Sequence, residues 1–190
     1  MPVPFRSGPK VSPAARVRDY ARVLVRSGLL TDHEVAAEVT SAARADVGAG
    51  ADPLAVNAVG DARAELADEQ ESWPTVTDFD LLQDAFDELA TRGVVVLQAV
   101  ADHWAATAEL TPRDERTERV VGVAWFTSAD VWHAIEHGML EVNLWHGDSA
   151  NVAPGDDLLD DVVAVLGRHG LAAHFDEGRL EVAMRWQRRR

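Results

Sequence analysis

Apolar and polar residues alternate with two different periods along this chain, and the change of period divides it. From Ser12 to about Gln70 the apolar positions recur at helical spacing. Val17, Tyr20 and Leu24, with neighbouring Ala21 and Val25, repeat at that spacing, while Arg18, Arg22 and Arg26 stand four apart on another face. Ser12-Pro13 is a cap followed by proline at the first helical position, and Gly28 is a stop. Thr31 opens a second helix as a T-x-x-E capping box with Glu34, and Val35, Val39 and Ala42 or Ala43 form its stripe. Residues 47–52 are a loop. Asp52-Pro53 repeats the cap-plus-proline start of a third helix.

Trp73-Pro74 is the seam. Beyond it, Thr77 caps a helix with Phe79, Leu82, Phe86 and Leu89 on one face, ended by Gly93. Val94–Val100 reads as a strand buried on both faces. Asp102–Leu110 is a short helix and 111–118 a charged loop. Val120–Phe126 is a strand and Ser128–His137 a helix capped by Thr127 or Ser128. Met139–His146 alternates cleanly, with Leu140, Val142 and Leu144 on one side and Glu141, Asn143 and Trp145 on the other. A helix over Asp156–His169 and a hairpin, Leu171–Phe175 with Arg179–Trp186 across Asp176-Glu177-Gly178, complete the chain.

Alternation of this kind buries one face of a sheet and wets the other, which favours antiparallel pairing. The expected fold class is therefore α+β: a helical N-terminal segment, then a five-stranded, mostly antiparallel or mixed sheet with helices packed on it. The expected organisation is a disordered leader over 1–11, a three-helix segment over 12–72 and a sheet domain over 73–190.

Composition narrows the function classes. The 190 residues are 47% hydrophobic and 26% charged, an ordinary globular balance. No apolar run approaches the length needed to span a bilayer, and the first ten residues lack the apolar core of a secretory signal. Cysteine is absent, which removes disulfides, thiolate metal sites and cysteine nucleophiles and fits a reducing cytoplasm, the expected location. Net charge is −14, unevenly spread. Residues 1–30 hold six basic side chains against one acid, and residues 185–190 add four arginines, so the body between is strongly acidic. Such a body repels phosphate backbones, so nucleic acid is not an expected partner. The Arg18–Arg22–Arg26 stripe lacks the large apolar neighbours of a membrane-surface helix, so no membrane partner is expected either.

The segment SWPTVTDFDLLQDAFDELATRGVVV, the block GVAWFTSADVWHAIEHGMLEVNLWHG and the ending LEVAMRWQRRR together resemble an actinobacterial family of unknown function. The shared features are W-P, T-D-x-D-x-L, A-F and a glycine leading into an apolar strand, then a strand–helix–strand block. The resemblance implies the architecture and brings no activity with it. Members of that family often carry paired cysteines after the strand matching Val94–Val100 and tend to have a histidine where Thr127 stands. This chain has neither, so no metal or redox role at those positions is implied.

One motif points toward catalysis. His133, Glu136 and His137 form H-x-x-E-H, in which two imidazoles on one helix face hold zinc and the glutamate activates its water. That chemistry needs a third protein ligand, and Asp160 or Asp161 is the helical candidate among the 53 residues that follow. D-D-x-x-D at Asp156–Asp160 has magnesium–diphosphate spacing, yet it opens a helix after Pro154-Gly155, where carboxylates stabilise the macrodipole. Nucleophile elbows and phosphate loops are absent. His146, Asp148 and Ser149 are neighbours in sequence only, which makes no triad.

The reading that follows is a non-enzymatic binding or regulatory module without a cofactor, acting through contact with another protein. Its expected surface is the wet sheet face with Glu141, Asn143, Trp145, Glu181 and Arg185, together with the acidic helix at 156–161. A partly exposed Trp beside arginine has the composition of an interface hot spot. The alternative is a zinc hydrolase with His133 and His137 as ligands and Glu136 as base. A further alternative is an acidic immunity or antitoxin-like protein with a basic partner.

Overall fold

A computed structural model describes residues 11–114 and 120–189. Apart from Val11, the leader expected over residues 1–11 lies outside them, as do residues 115–118 of the expected charged loop. The chain divides into two compact units, one ending at Ser72 and one beginning at Trp73.

The first unit is three helices, α1 (Pro13–Ser27), α2 (Asp32–Asp46) and α3 (Ala51–Glu71), each packed on the other two. Ser12 caps α1 by accepting the Ala15 N–H at 3.2 Å. Gly28 ends that helix at φ 66°, which glycine adopts without strain. Thr31 and Glu34 form the expected capping box on α2. The start of α3 differs from the sequence reading. Its cap is Gly50, in the left-handed region at φ 85°. Asp52 lies inside the first turn, where both its oxygens accept from Arg44, at 2.8 and 3.0 Å. The core is lined with small residues, Ala21, Ala43, Ala55, Ala58 and Ala62, among Val17, Val35, Val39 and Leu66. Arg22 grips Glu65 with two nitrogens, and Arg26 pairs with Glu69. Two arginines of the basic stripe thus lie along α3.

The second unit runs α4 (Asp78–Thr91), β1 (Val94–Val100), α5 (His103–Asp114), β2 (Gly122–Thr127), α6 (Ser128–His137), β3 (Met139–His146), α7 (Asp157–Arg168), β4 (Ala172–Asp176) and β5 (Arg179–Ala183). The five strands form one mixed sheet in the order β1-β2-β3-β5-β4. The β1–β2 pair is parallel and the others antiparallel, so the fold is α+β. Thr77 with Asp80 and Thr127 with Asp130 form capping boxes on α4 and α6. Two spans differ from the sequence reading. Helix α5 continues past Thr111-Pro112 to Asp114. Strand β5 ends at Ala183, and beyond it Met184 still donates to the Gly138 carbonyl at 3.0 Å, in the register of the β3–β5 ladder.

The faces of the sheet carry different chemistry. One holds Gly122, Ala124 and Phe126 of β2, Leu140, Val142 and Leu144 of β3, and Leu180 and Val182 of β5, nearly all fully buried. α4 and α7 cover it. Phe126 stacks on Phe86 of α4 at 6.2 Å, and Trp186 meets Phe126 and Phe79 edge-on at 6.1 and 5.0 Å. Gly122 is needed here, since a β-carbon would stand 2.6 Å from the Leu158 side chain of α7. The opposite face begins as a second apolar cluster of Val95, Leu97, Val123 and Trp125 with Ala106 of α5. It continues toward β4 as a charged surface.

Candidate functional site

The alternation of β3 places Glu141, Asn143 and Trp145 on that second face, as its sequence demands. Cross-strand register sets Trp145 against Val123, Asn143 against Trp125 and Glu141 against Glu181. The face is not uniformly wet. Trp145 is half-buried in the apolar cluster, its ring edge-on to Trp125 at 4.8 Å. Glu141 is taken up by Arg179 and lies 3.6 Å from His133 Nδ1. Glu181 holds His174 Nε2 at 3.0 Å. Arg185 is not brought to Trp145. Ala183 pairs with Met139, at the opposite end of β3 from Trp145. The six-residue rise from Met139 to Trp145 keeps the two apart by about 20 Å of strand. Arg185 instead donates its main-chain N–H to Asp78 at 2.8 Å.

His133 and His137 do share a face of α6, with ring centroids 4.6 Å apart and planes at 78°. Glu136 Oε2 lies 3.7 Å from His137 Nε2. Neither expected third ligand is brought to these two imidazoles. Asp160 and Asp161 sit on α7, and α7 packs on Gly122 across the sheet from Glu141 and His133. Among the described residues no three His, Asp or Glu side chains gather with the geometry to hold a metal. Among the described residues the two imidazoles thus lack the third protein ligand that a catalytic zinc needs. Asp156 of the D-D-x-x-D run accepts the Ala153 N–H at 2.7 Å and lies 3.0 Å from His146 Nε2. The first of these bonds, then the second, holds its carboxyl below the usual range.

The feature that sequence reasoning missed is a cleft between α4 and the outer edge of β1. It encloses about 700 Å³ and is lined by Phe86, Asp87, Ala90, Thr91, Gly93, Val94, Val95, Val96, Gln98 and Val120. Its wall on α4 is built by helical spacing, since Asp87, Ala90 and Thr91 recur at i, i+3 and i+4. Its other wall is a strand edge that is unpaired among the described residues. Gly147 donates to the Val121 carbonyl at 3.1 Å, which turns Val123 and Trp125 toward β3 and Gly122 and Ala124 toward β1. The parallel register then points the main-chain groups of Val95 and Leu97 at β2 and those of Val94 and Val96 outward. No described strand pairs with that edge.

Both ends of the cleft are defined. At one end the Gln83 and Gln98 amides exchange hydrogen bonds of 3.3 and 2.9 Å. At the other, Gly93 ends α4 at φ 83°, and Val121 next to the lining residue Val120 is 44% exposed. Asp87 is exposed and has no hydrogen-bond or ion-pair partner among the described residues. Its neighbour Glu88, pointing elsewhere, binds Arg168 at 2.6 Å, His169 at 2.8 Å and Arg92 at 2.6 Å. Arg168 above all, then His169, draws Glu88 down to about 2. This hub fastens the end of α4 to the end of α7.

Among the described residues no helix is long and apolar enough to cross a membrane. No curated protein and no solved structure matches the chain. The family model described as Domain of unknown function (DUF6891) matches residues 11–190, and the chain belongs to that family.

Proposed function

We propose that this protein is a non-enzymatic binding module that captures another protein at the outer edge of β1. The observation that supports this is the edge at Val94 and Val96, unpaired among the described residues, beside a cleft of mixed polar and apolar lining. Main-chain groups of an edge strand give affinity to any extended segment laid against them, and side-chain pockets give selectivity. Both parts are present: donors and acceptors on β1, and Phe86, Ala90 and Val120 as walls for alternate side chains.

The charged half of the sheet face supports the reading less well. Glu141, Glu181, Arg179 and His174 already satisfy one another there.

The test is selection from a random peptide library displayed on phage, using the whole chain as bait and Ala90→Trp as the blocked control. Ala90 is exposed and lines the cleft, so the larger side chain fills it without entering the core. Sequences enriched by the native chain and lost against the variant are expected. Equal enrichment against both would reject the cleft as the binding surface.

A further inference from the structure

Resting on that reading, we infer that the occupant of the cleft is an extended segment of a basic partner. Its aliphatic side chains lie against Val94, Val96 and Phe86, and a lysine or arginine reaches Asp87. Charge selects this class. From Asp78 to Thr91, α4 carries five carboxylates and no basic residue. The unit from Trp73 onward holds twenty-one carboxylates against ten arginines. A field of that sign speeds encounter with cations and slows it with anions. Within the cleft the sign becomes local, because Asp87 is the lining carboxylate and lacks a cation among the described residues.

The aliphatic half of the preference comes from the floor. Val94 and Val95 are buried, Val96 and Val120 are half-buried, and the exposed Val121 follows at the Gly93 end. A strand laid along Val94–Gln98 spans about 16 Å. It therefore offers two or three side chains to the cleft and an equal number to the opposite side.

A second copy of this chain fits less well. A twofold pairing of β1 with β1 would bring two acidic α4 stripes together, a like-charge contact. The strand is also interrupted. Its register shifts between Leu97 and Val100, with Ala99 at φ 54°. Pairing of any occupant is therefore confined to the stretch before Ala99, and it is the charge that disfavours a second copy.

The experiment uses the full chain and three synthetic heptapeptides of alternating valine with arginine, serine or glutamate. Affinity is read by fluorescence polarisation and location by backbone amide shifts. The arginine peptide is expected to bind tightest, with shifts at Val94 and Val96, and the glutamate peptide not to bind. Asp87→Asn should weaken the arginine peptide by about fivefold, as for an exposed ion pair, while Asp161→Asn on α7 leaves it unchanged. If the serine peptide binds at β1 as tightly as the arginine one, the charge selection is wrong and the binding module stands. If no peptide moves the β1 amides, the module itself falls. If the shifts map to other acidic surfaces, or Asp161→Asn weakens binding as much as Asp87→Asn, the assignment is overturned. A concentration-dependent dimer with protected β1 amides overturns it in favour of a second copy.

Discussion

Gly147 is the residue whose replacement the structure penalises most clearly. A β-carbon there would lie 2.1 Å from the Val120 carbonyl oxygen and 3.0 Å from its carbon. Real β-carbons do not come within 3.0 Å of such an oxygen. Gly147→Ala must therefore push the main chain at Val120 away by about 1 Å. Both atoms belong to the main chain, so no side chain can rotate aside. Overpacking of this kind costs about 1–3 kcal/mol. The Gly147 N–H bond to Val121 would be strained as well. That adds about 1 kcal/mol. A total loss of about 2–4 kcal/mol follows.

The assay is urea unfolding followed by tryptophan fluorescence. All six tryptophans lie from Trp73 to Trp186, so the signal reports the second unit alone. Two-state treatment of that unit is then appropriate. Gly167→Ala is the control, because its β-carbon meets nothing within 4 Å and it sits inside α7. Alanine there is expected to stabilise by about 0.5–1 kcal/mol. A Gly147→Ala midpoint equal to the native one would refute the placement of Gly147 against Val120, and with it that end of the cleft.

Other outcomes follow from single contacts. Thr77→Ala removes a fully buried cap whose hydroxyl accepts the Asp80 N–H at 3.3 Å and donates to the Asp80 carboxylate at 2.9 Å. Loss of such a cap should cost about 1–2 kcal/mol in the same urea assay. Trp145→Ala gives up the edge-on contact with Trp125. It should destabilise by more than about 1 kcal/mol, since an aromatic pair is worth about that beyond its area; an unchanged midpoint would show the ring to be merely superficial. Glu88 is a depressed carboxylate, so its contribution is fully present above the ordinary value of 4.5 and is lost as pH falls toward about 2. Urea midpoints measured across that window should drop more steeply for the native chain than for Glu88→Gln.

Much of the fold is written locally, and what is not local is where the reading fails. Thr31 with Glu34 and Thr77 with Asp80 announce their helices because a capping box is a bond within four residues. Gly28 and Gly93 end theirs because only glycine enters the left-handed region cheaply. Asp52-Pro53 misleads for a reason lying eight residues away: Arg44 binds the carboxylate that would otherwise cap. Trp145 is on the predicted face, but strand alternation does not show that Trp125 and α5 make part of that face apolar.

The H-x-x-E-H spacing correctly puts two imidazoles together. The position of Asp160 and Asp161 across the sheet depends on topology, which no five-residue pattern contains. The cleft is the same kind of case. Val94–Leu97 reads as buried, and three of its four residues are. That β1 ends the sheet instead of lying inside it follows only from the strand order.

Amide hydrogen exchange along β1 in the free protein tests the central claim most directly. With an open edge, Val95 and Leu97 exchange slowly, as donors to β2, while Val94 and Val96 exchange faster by orders of magnitude. Uniform protection of all four amides would mean that something already pairs with this edge, and would contradict the proposed binding surface.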